Sequence, residues 1–149
     1  MKILLAIDDS EFSEAATQAL IERIRPENAE VRVITVADLI NYFTTDEAAK
    51  AYIPKIDEIR RDRLKTAEEL TNRALHKLQA AGFKGKSVVS EGDPKTRIVA
   101  FADEWGADLV VLGSRGRKGF ARALLGSVSE GVARYARCSV AIVRIRPGK

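Results

Sequence analysis

Apolar and polar positions along the chain form short continuous apolar runs alternating with longer stripes of helical period. Lys2–Ile7, Val31–Val36, Ser87–Glu91, Leu109–Leu112 and Val140–Ile145 read as five strands. Between them the spacing predicts helices. The first runs from Glu11 to about Arg25 and is broken by Pro26-Glu27-Asn28. The second carries Ile56, Ile59, Leu64, Ala67, Leu70, Ala74 and Leu78 along one side and ends at Gly82. A third opens on Asp93-Pro94, an N-cap followed by proline at N1, and closes at Trp105 before Gly106. The last carries Leu124, Leu125, Val128, Val132 and Tyr135 as its stripe, while Ala37 to Pro54 is less regular. Strands apolar throughout and separated by helices belong in a parallel sheet covered on both faces. Right-handed crossovers then give an α/β fold, a single doubly wound, Rossmann-like sheet of five strands in the order 3-2-1-4-5. Residues 1–149 make one domain.

Composition narrows the function classes. No apolar run approaches the ~18–20 residues that a spanning helix needs, and the opening apolar run is too short for a signal peptide. With one cysteine, Cys138, the expectation is a cytoplasmic protein without an internal disulfide. One histidine, His76, sits mid-helix and reads as an ordinary helix-face residue, which removes His-rich zinc chemistry. Charge is uneven: from Gly113 onward nine basic residues face one acid, a balance of +8, whereas residues 1–112 carry −4. Such asymmetry marks a surface for anions or a solvated face.

In a doubly wound sheet, ligands bind past the carboxyl ends of the strands where the winding reverses. Two segments compete as a phosphate loop. Ala80-Ala81-Gly82-Phe83-Lys84-Gly85-Lys86-Ser87 imitates a P-loop with alanine in place of the first glycine, but it follows a helix and enters a strand, the reverse of the required order. The better candidate is Leu112-Gly113-Ser114-Arg115-Gly116, nine further residues, then Gly126-Ser127. Glycines let the backbone approach a ligand, and the N–H groups of the following helix favour an anion. Arg115, Arg117 and Lys118 add positive charge. A plainer reading stands beside this one. The glycines also make a strand-to-loop turn, and Ser127-Val128-Ser129-Glu130 fits a capping box. Asp8 and Asp9 end the first strand; we expect Asp8 to face the crevice and Asp9 or Ser10 to cap the next helix.

These residues resemble the universal stress protein family in its ATP-binding branch. Its signature G-x-x-G, nine residues, then G and Ser or Thr is met by Gly113, Gly116, Gly126 and Ser127. The resemblance implies that Asp8 contacts ribose, with Ala6 and Ile7 on the base side and Val36 against adenine. It places Leu112, Gly113, Arg115 and Gly116 around ribose and phosphates. Gly126, Ser127, Val128 and Ser129 would hold the phosphates through N–H and hydroxyl groups. It further implies ATP or another adenine nucleotide as ligand, which could bring its own Mg²⁺, and a homodimer through the last strand, Val140 to Ile145. That strand would otherwise leave an apolar edge exposed.

The expected role is regulatory, a stress-response module rather than a dedicated enzyme. Hydrolysis needs a water-orienting base and an organised metal, and the spacing of Asp8, Asp9 and Asp38 defines no metal site, so turnover would be slow. A phosphoacceptor receiver is a weaker reading, because the last strand ends in Arg144 and Arg146 rather than lysine and the glycine motif has no use there. Nucleic-acid binding through the basic C-terminal third lacks the aromatics for stacking, with Phe120 and Tyr135 alone.

Overall fold

A computed structural model describes residues 1–38, 53–116 and 124–146. Its five strands are β1 (Lys2–Ala6), β2 (Glu30–Ala37), β3 (Lys84–Glu91), β4 (Leu109–Gly113) and β5 (Ser139–Val143). Among the described residues four α-helices alternate with them: α1 (Glu11–Arg23), α2 (Ile53–Ala80), α3 (Pro94–Trp105) and α4 (Ser127–Tyr135). The sheet is parallel throughout and ordered β3-β2-β1-β4-β5, as the apolar runs predict.

Alternation along the strands sorts the core into two layers. Ile3, Leu5, Val31, Val33 and Val111 pack against Ala16, Leu20, Ala74 and Leu78 of α1 and α2. Leu4, Ala6, Ile34, Val110 and Leu112 pack on the opposite face against Ile98, Ala102 and Val132 of α3 and α4. The winding reverses between β1 and β4, which pair directly with Ala6 level with Leu112. That places the carboxyl ends of these two strands at the switch point.

Several boundaries differ from the sequence expectation. β3 starts at Lys84, three residues early, because pairing with β2 continues through Lys84, Gly85 and Lys86. The latter half of the P-loop imitation, Lys84 to Ser87, is therefore edge-strand backbone. A Cβ on Gly85 would stand 2.5 Å from the Val31 carbonyl oxygen, so glycine lets the two strands approach. β5 stops at Val143 rather than Ile145. The α2 stripe is buried only from Ala67 onward, and Ile59 is exposed. A helix of 28 residues measures about 42 Å against about 26 Å for the longest strands, so its first turns overhang their carboxyl ends. The stripe expected for the last helix also shrinks, since Leu124 precedes it and both Leu124 and Tyr135 are exposed. Val128 and Val132 remain as its apolar contacts with the sheet face.

Local chemistry explains the α3 limits. Asp93 caps it, accepting from the Thr96 N–H at 3.2 Å and the Thr96 hydroxyl at 2.6 Å. Gly106 ends it in the left-handed region at φ 75°, where an L side chain is strained. The Thr96 hydroxyl bond holds the Asp93 carboxyl below the usual aspartate range. A depressed carboxyl contributes stability that is present above its unfolded pKa and is lost as pH falls through the folded one. Asp93→Ala should accordingly cost ~1 kcal/mol at pH 7. The urea midpoints of variant and parent should converge as the medium is acidified below the ordinary aspartate pKa.

Candidate functional site

Past the carboxyl ends of β1 and β4, three segments meet that lie far apart in sequence. The first follows β1. Ser10 caps α1, its hydroxyl accepting the Ser13 N–H, so the capping role falls to Ser10. This frees Asp8 from capping. Its Oδ1 accepts from the Ser10 N–H and from the Ser13 hydroxyl, both at 2.9 Å. The Asp8 N–H in turn donates to the Ser13 hydroxyl at 2.8 Å. Ser13 is buried, so the carboxylate is pinned by a side chain that cannot drift into solvent. The second oxygen, Oδ2, reaches Gly116, where an added Cβ would come within 2.6 Å of it.

The second segment continues β4. Gly113 sits so tightly on α1 that a Cβ would lie 2.6 Å from the Phe12 Cβ and 2.7 Å from its carbonyl oxygen. Its glycine character therefore serves helix–sheet packing. Ser114, which the sequence reading passed over as a spacer, is buried and holds the site together. Its N–H donates to the Val143 carbonyl of β5 at 2.8 Å. Its carbonyl accepts the Gly126 N–H at 2.8 Å and the Ser129 hydroxyl at 2.8 Å. The two halves of the glycine motif are thus clasped through one peptide group. Arg115 lays its guanidinium over the Phe12 ring, 4.9 Å from the centroid.

The third segment is the start of α4. Gly126, not Ser127, is the N-cap, so the predicted capping box is displaced by one residue; a glycine offers no side-chain cap. The physical reason is the Gly126 N–H bond to Ser114, which fixes that residue outside the helix. Ser127, Val128 and Ser129 then occupy the first turn, whose N–H groups have no acceptor within the helix. The Ser129 hydroxyl is buried and donates inward to the Ser114 and Gly126 carbonyls, so only its N–H is presented with the turn. A Cβ on Gly126 would be 3.2 Å from the Arg115 Cα, a tight but smaller intrusion than at Gly113.

The remaining predicted residues divide by strand face. Ala6 and Leu112 lie level on the α3/α4 face, where Val36 packs half-buried at the end of β2. Ile7 belongs to the opposite layer with α1 and α2, so it offers the crevice only backbone. Arg117 and Lys118, and the irregular segment from Leu39 to Tyr52, lie outside the described residues. Asp38 at the end of β2 is half-buried. Among the described residues no three His, Cys, Asp or Glu side chains come together as a metal site, and no helix is long and apolar enough to cross a membrane. Burial pushes the Cys138 thiol up from its ordinary pKa, away from the thiolate.

The chain is similar to known proteins over nearly its whole length. Residues 1–144 match the model of the Universal stress protein family. The universal stress protein YxiE of Bacillus subtilis (strain 168) is 33% identical over 145 residues, covering 96% of this chain and 98% of its own. Among solved structures, the protein MJ0577 superposes with a TM-score of 0.85 at 26% identity, over 99% of this chain and 97% of that one. A universal stress protein in complex with cAMP gives 0.68 at 26% identity, over 96% of each chain.

The glycines should separate by experiment. Gly113→Ala forces β4 away from the α1 backbone and should cost about 1–3 kcal/mol in urea unfolding. Gly126→Ala should cost less than Gly113→Ala. Ser129→Ala removes a buried hydrogen bond while Gly126 still serves the Ser114 carbonyl, so about 1 kcal/mol is expected.

Proposed function

The chain belongs to the universal stress protein family, and from that premise we propose that it binds ATP, or another adenine nucleotide, as a regulatory ligand. The observation that carries this reading is the convergence on one mouth of the Asp8 carboxylate, the Gly113–Gly116 turn and the open first turn of α4. The Ser114 clasp preorganises the last two. An anion placed there meets three aligned N–H groups and the positive end of the α4 dipole. Gly116 leaves room beside Asp8 Oδ2, whose partner in this reading is a ribose hydroxyl. Ala6, Leu112 and Val36 supply the apolar base side, and Arg115 stands next to the phosphates. Adenine nucleotide as the ligand class is also supported by the cAMP complex of a relative with the same fold.

The reading assigns binding rather than committed catalysis. One oxygen of Asp8 is already engaged by Ser10 and Ser13, which disfavours it as a water-activating base. Mg²⁺ in this account arrives on the phosphates, and any hydrolysis is slow.

We place the protein in the cytoplasm as a homodimer paired through β5. That strand forms one edge of the sheet, with Val140, Ala141 and Ile142 half-buried. An antiparallel pairing of two such edges makes a symmetric interface. Because the Ser114 N–H rests on Val143, the cradle and this edge share a hydrogen bond, a direct route by which nucleotide would bias the dimer.

Denaturing the purified protein and chromatographing the supernatant should release an adenine nucleotide, and the emptied protein should rebind ATP in the micromolar range. Gly116→Ala should weaken that binding at least ~10-fold, about 1.4 kcal/mol, by pushing the pinned carboxylate aside, with the melting temperature close to the parent's. Absence of released nucleotide together with no binding at millimolar ATP would remove the nucleotide reading and leave the fold assignment standing.

A further inference from the structure

β3 is the second edge of the sheet, and among the described residues no strand pairs with its outer side. Strand alternation fixes which way its residues face. Gly85 faces Leu75 of α2, and Val88 joins the layer under α3 and α4. Lys84 and Lys86 therefore lie on the α3/α4 face, level with Glu30 and Arg32 of β2. Both lysines are exposed, and among the described residues neither has a carboxylate partner. Arg32, inboard of Lys86, has none either: its guanidinium lies on the Trp105 ring and its Nε is buried without an acceptor. We propose that the amino half of β3 is a docking edge for an acidic segment of a partner protein, which lies down in extended form as a further strand.

The carboxyl half of the strand is already held from both faces. Glu91 accepts the Arg60 fork of α2 at 2.8 and 3.0 Å, and Ser90 accepts from Arg97 Nε of α3 at 2.9 Å. Beside the amino half an open groove runs between residues 27–30 and 84–86. Its two acids, Glu27 and Glu30, belong to β2 and the turn before it, inboard of the lysines. An unpaired edge offers a row of main-chain donors and acceptors, which recognises another main chain. Side chains two residues apart on an extended strand stand about 6.6 Å apart on one face. Carboxylates at alternate positions of the docked segment thus meet Lys84 and Lys86 in turn, about 5 Å across. Edge lysines keep aliphatic strands away, and the same charges favour a strand bearing acids. A nucleic acid fits less well. It brings no peptide ladder to the edge, and the aromatic ring at hand, Trp105, already carries Lys2 and Arg32.

Fluorescence anisotropy of a labelled eight-residue peptide alternating glutamate and threonine tests the proposal, together with amide chemical-shift mapping on the intact protein. The peptide should bind, with shifts gathered on residues 84–89 and their β2 neighbours. Lys84→Glu/Lys86→Glu should weaken it at least ~10-fold at an unchanged urea midpoint. The same double variant should gain affinity for a lysine–threonine peptide that the parent rejects. Methylating every second peptide nitrogen, in either of the two alternating registers, separates strand addition from plain charge attraction. One register should abolish binding and the other leave it intact. Equal binding by both methylated peptides, shifts away from β3, or no binding at ~1 mM peptide would overturn the proposal. So would an oligothymidylate that displaces the peptide at equal or lower concentration, which would make the surface a nucleic-acid site instead.

Discussion

The main chain of a single buried residue, Ser114, sets the geometry on which the site depends. Its N–H is held by the last residue of β5, and its carbonyl accepts from Gly126 and Ser129 on the far side of the glycine motif. A buried carbonyl left without donors would cost about 1–3 kcal/mol, so Gly126 and Ser129 are held against Ser114. This contact brings the first turn of α4 to the level of β1 and β4, whose carboxyl ends are already adjacent because the winding reverses between them. The mouth is thus lined by main chain, held in register by main-chain bonds and by the buried Ser129 hydroxyl.

The glycines divide the remaining labour. Gly113 lets α1 close on β4, Gly116 leaves space beside Asp8, and Gly126 fits over the Arg115 backbone. The same motif therefore contains one position governed by folding and another governed by what stands beside a carboxylate. The basic third of the chain breaks up in a similar way. Arg134 pairs with Glu130 within α4, Arg137 reaches Asp103 on α3, and Arg115 lies on an aromatic ring. Each of these three cations meets a partner within the fold.

The fold was legible because its strands are short continuous apolar runs and its helix limits carry unambiguous chemistry, as at Asp93-Pro94 and Gly106. What stayed hidden follows a physical pattern. β3 begins at Lys84, where an edge strand of lysines and glycine has no apolar signal, only main-chain pairing. The upper stripe of α2 looks buried from its period, yet it overhangs the sheet and Ile59 meets solvent. At the site, Asp8 and the spaced glycines could be read because each demands a residue type. Ser114 could not, since its contribution is made largely by backbone atoms that any residue carries. Phe12 reads as one more half-buried helix residue until the fold sets Gly113 and Arg115 against it. The capping box failed for a related reason: a tertiary hydrogen bond to Gly126 overrode a local pattern at Ser127.

The amino ends of the strands hold a different kind of cluster. Trp105, the one tryptophan of the chain, closes α3 there, with the Lys2 ammonium 5.6 Å and the Arg32 guanidinium 5.1 Å from its ring, and the Lys2 N–H bonded to Asp108 at 2.7 Å. This ring senses the integrity of β1, β2 and α3 while standing a full strand length from the crevice. Indole emission is therefore an optical gauge of global unfolding, insulated by distance from direct quenching by an adenine base. Fluorescence from an unmodified sample separates loss of the fold from loss of occupancy without any label.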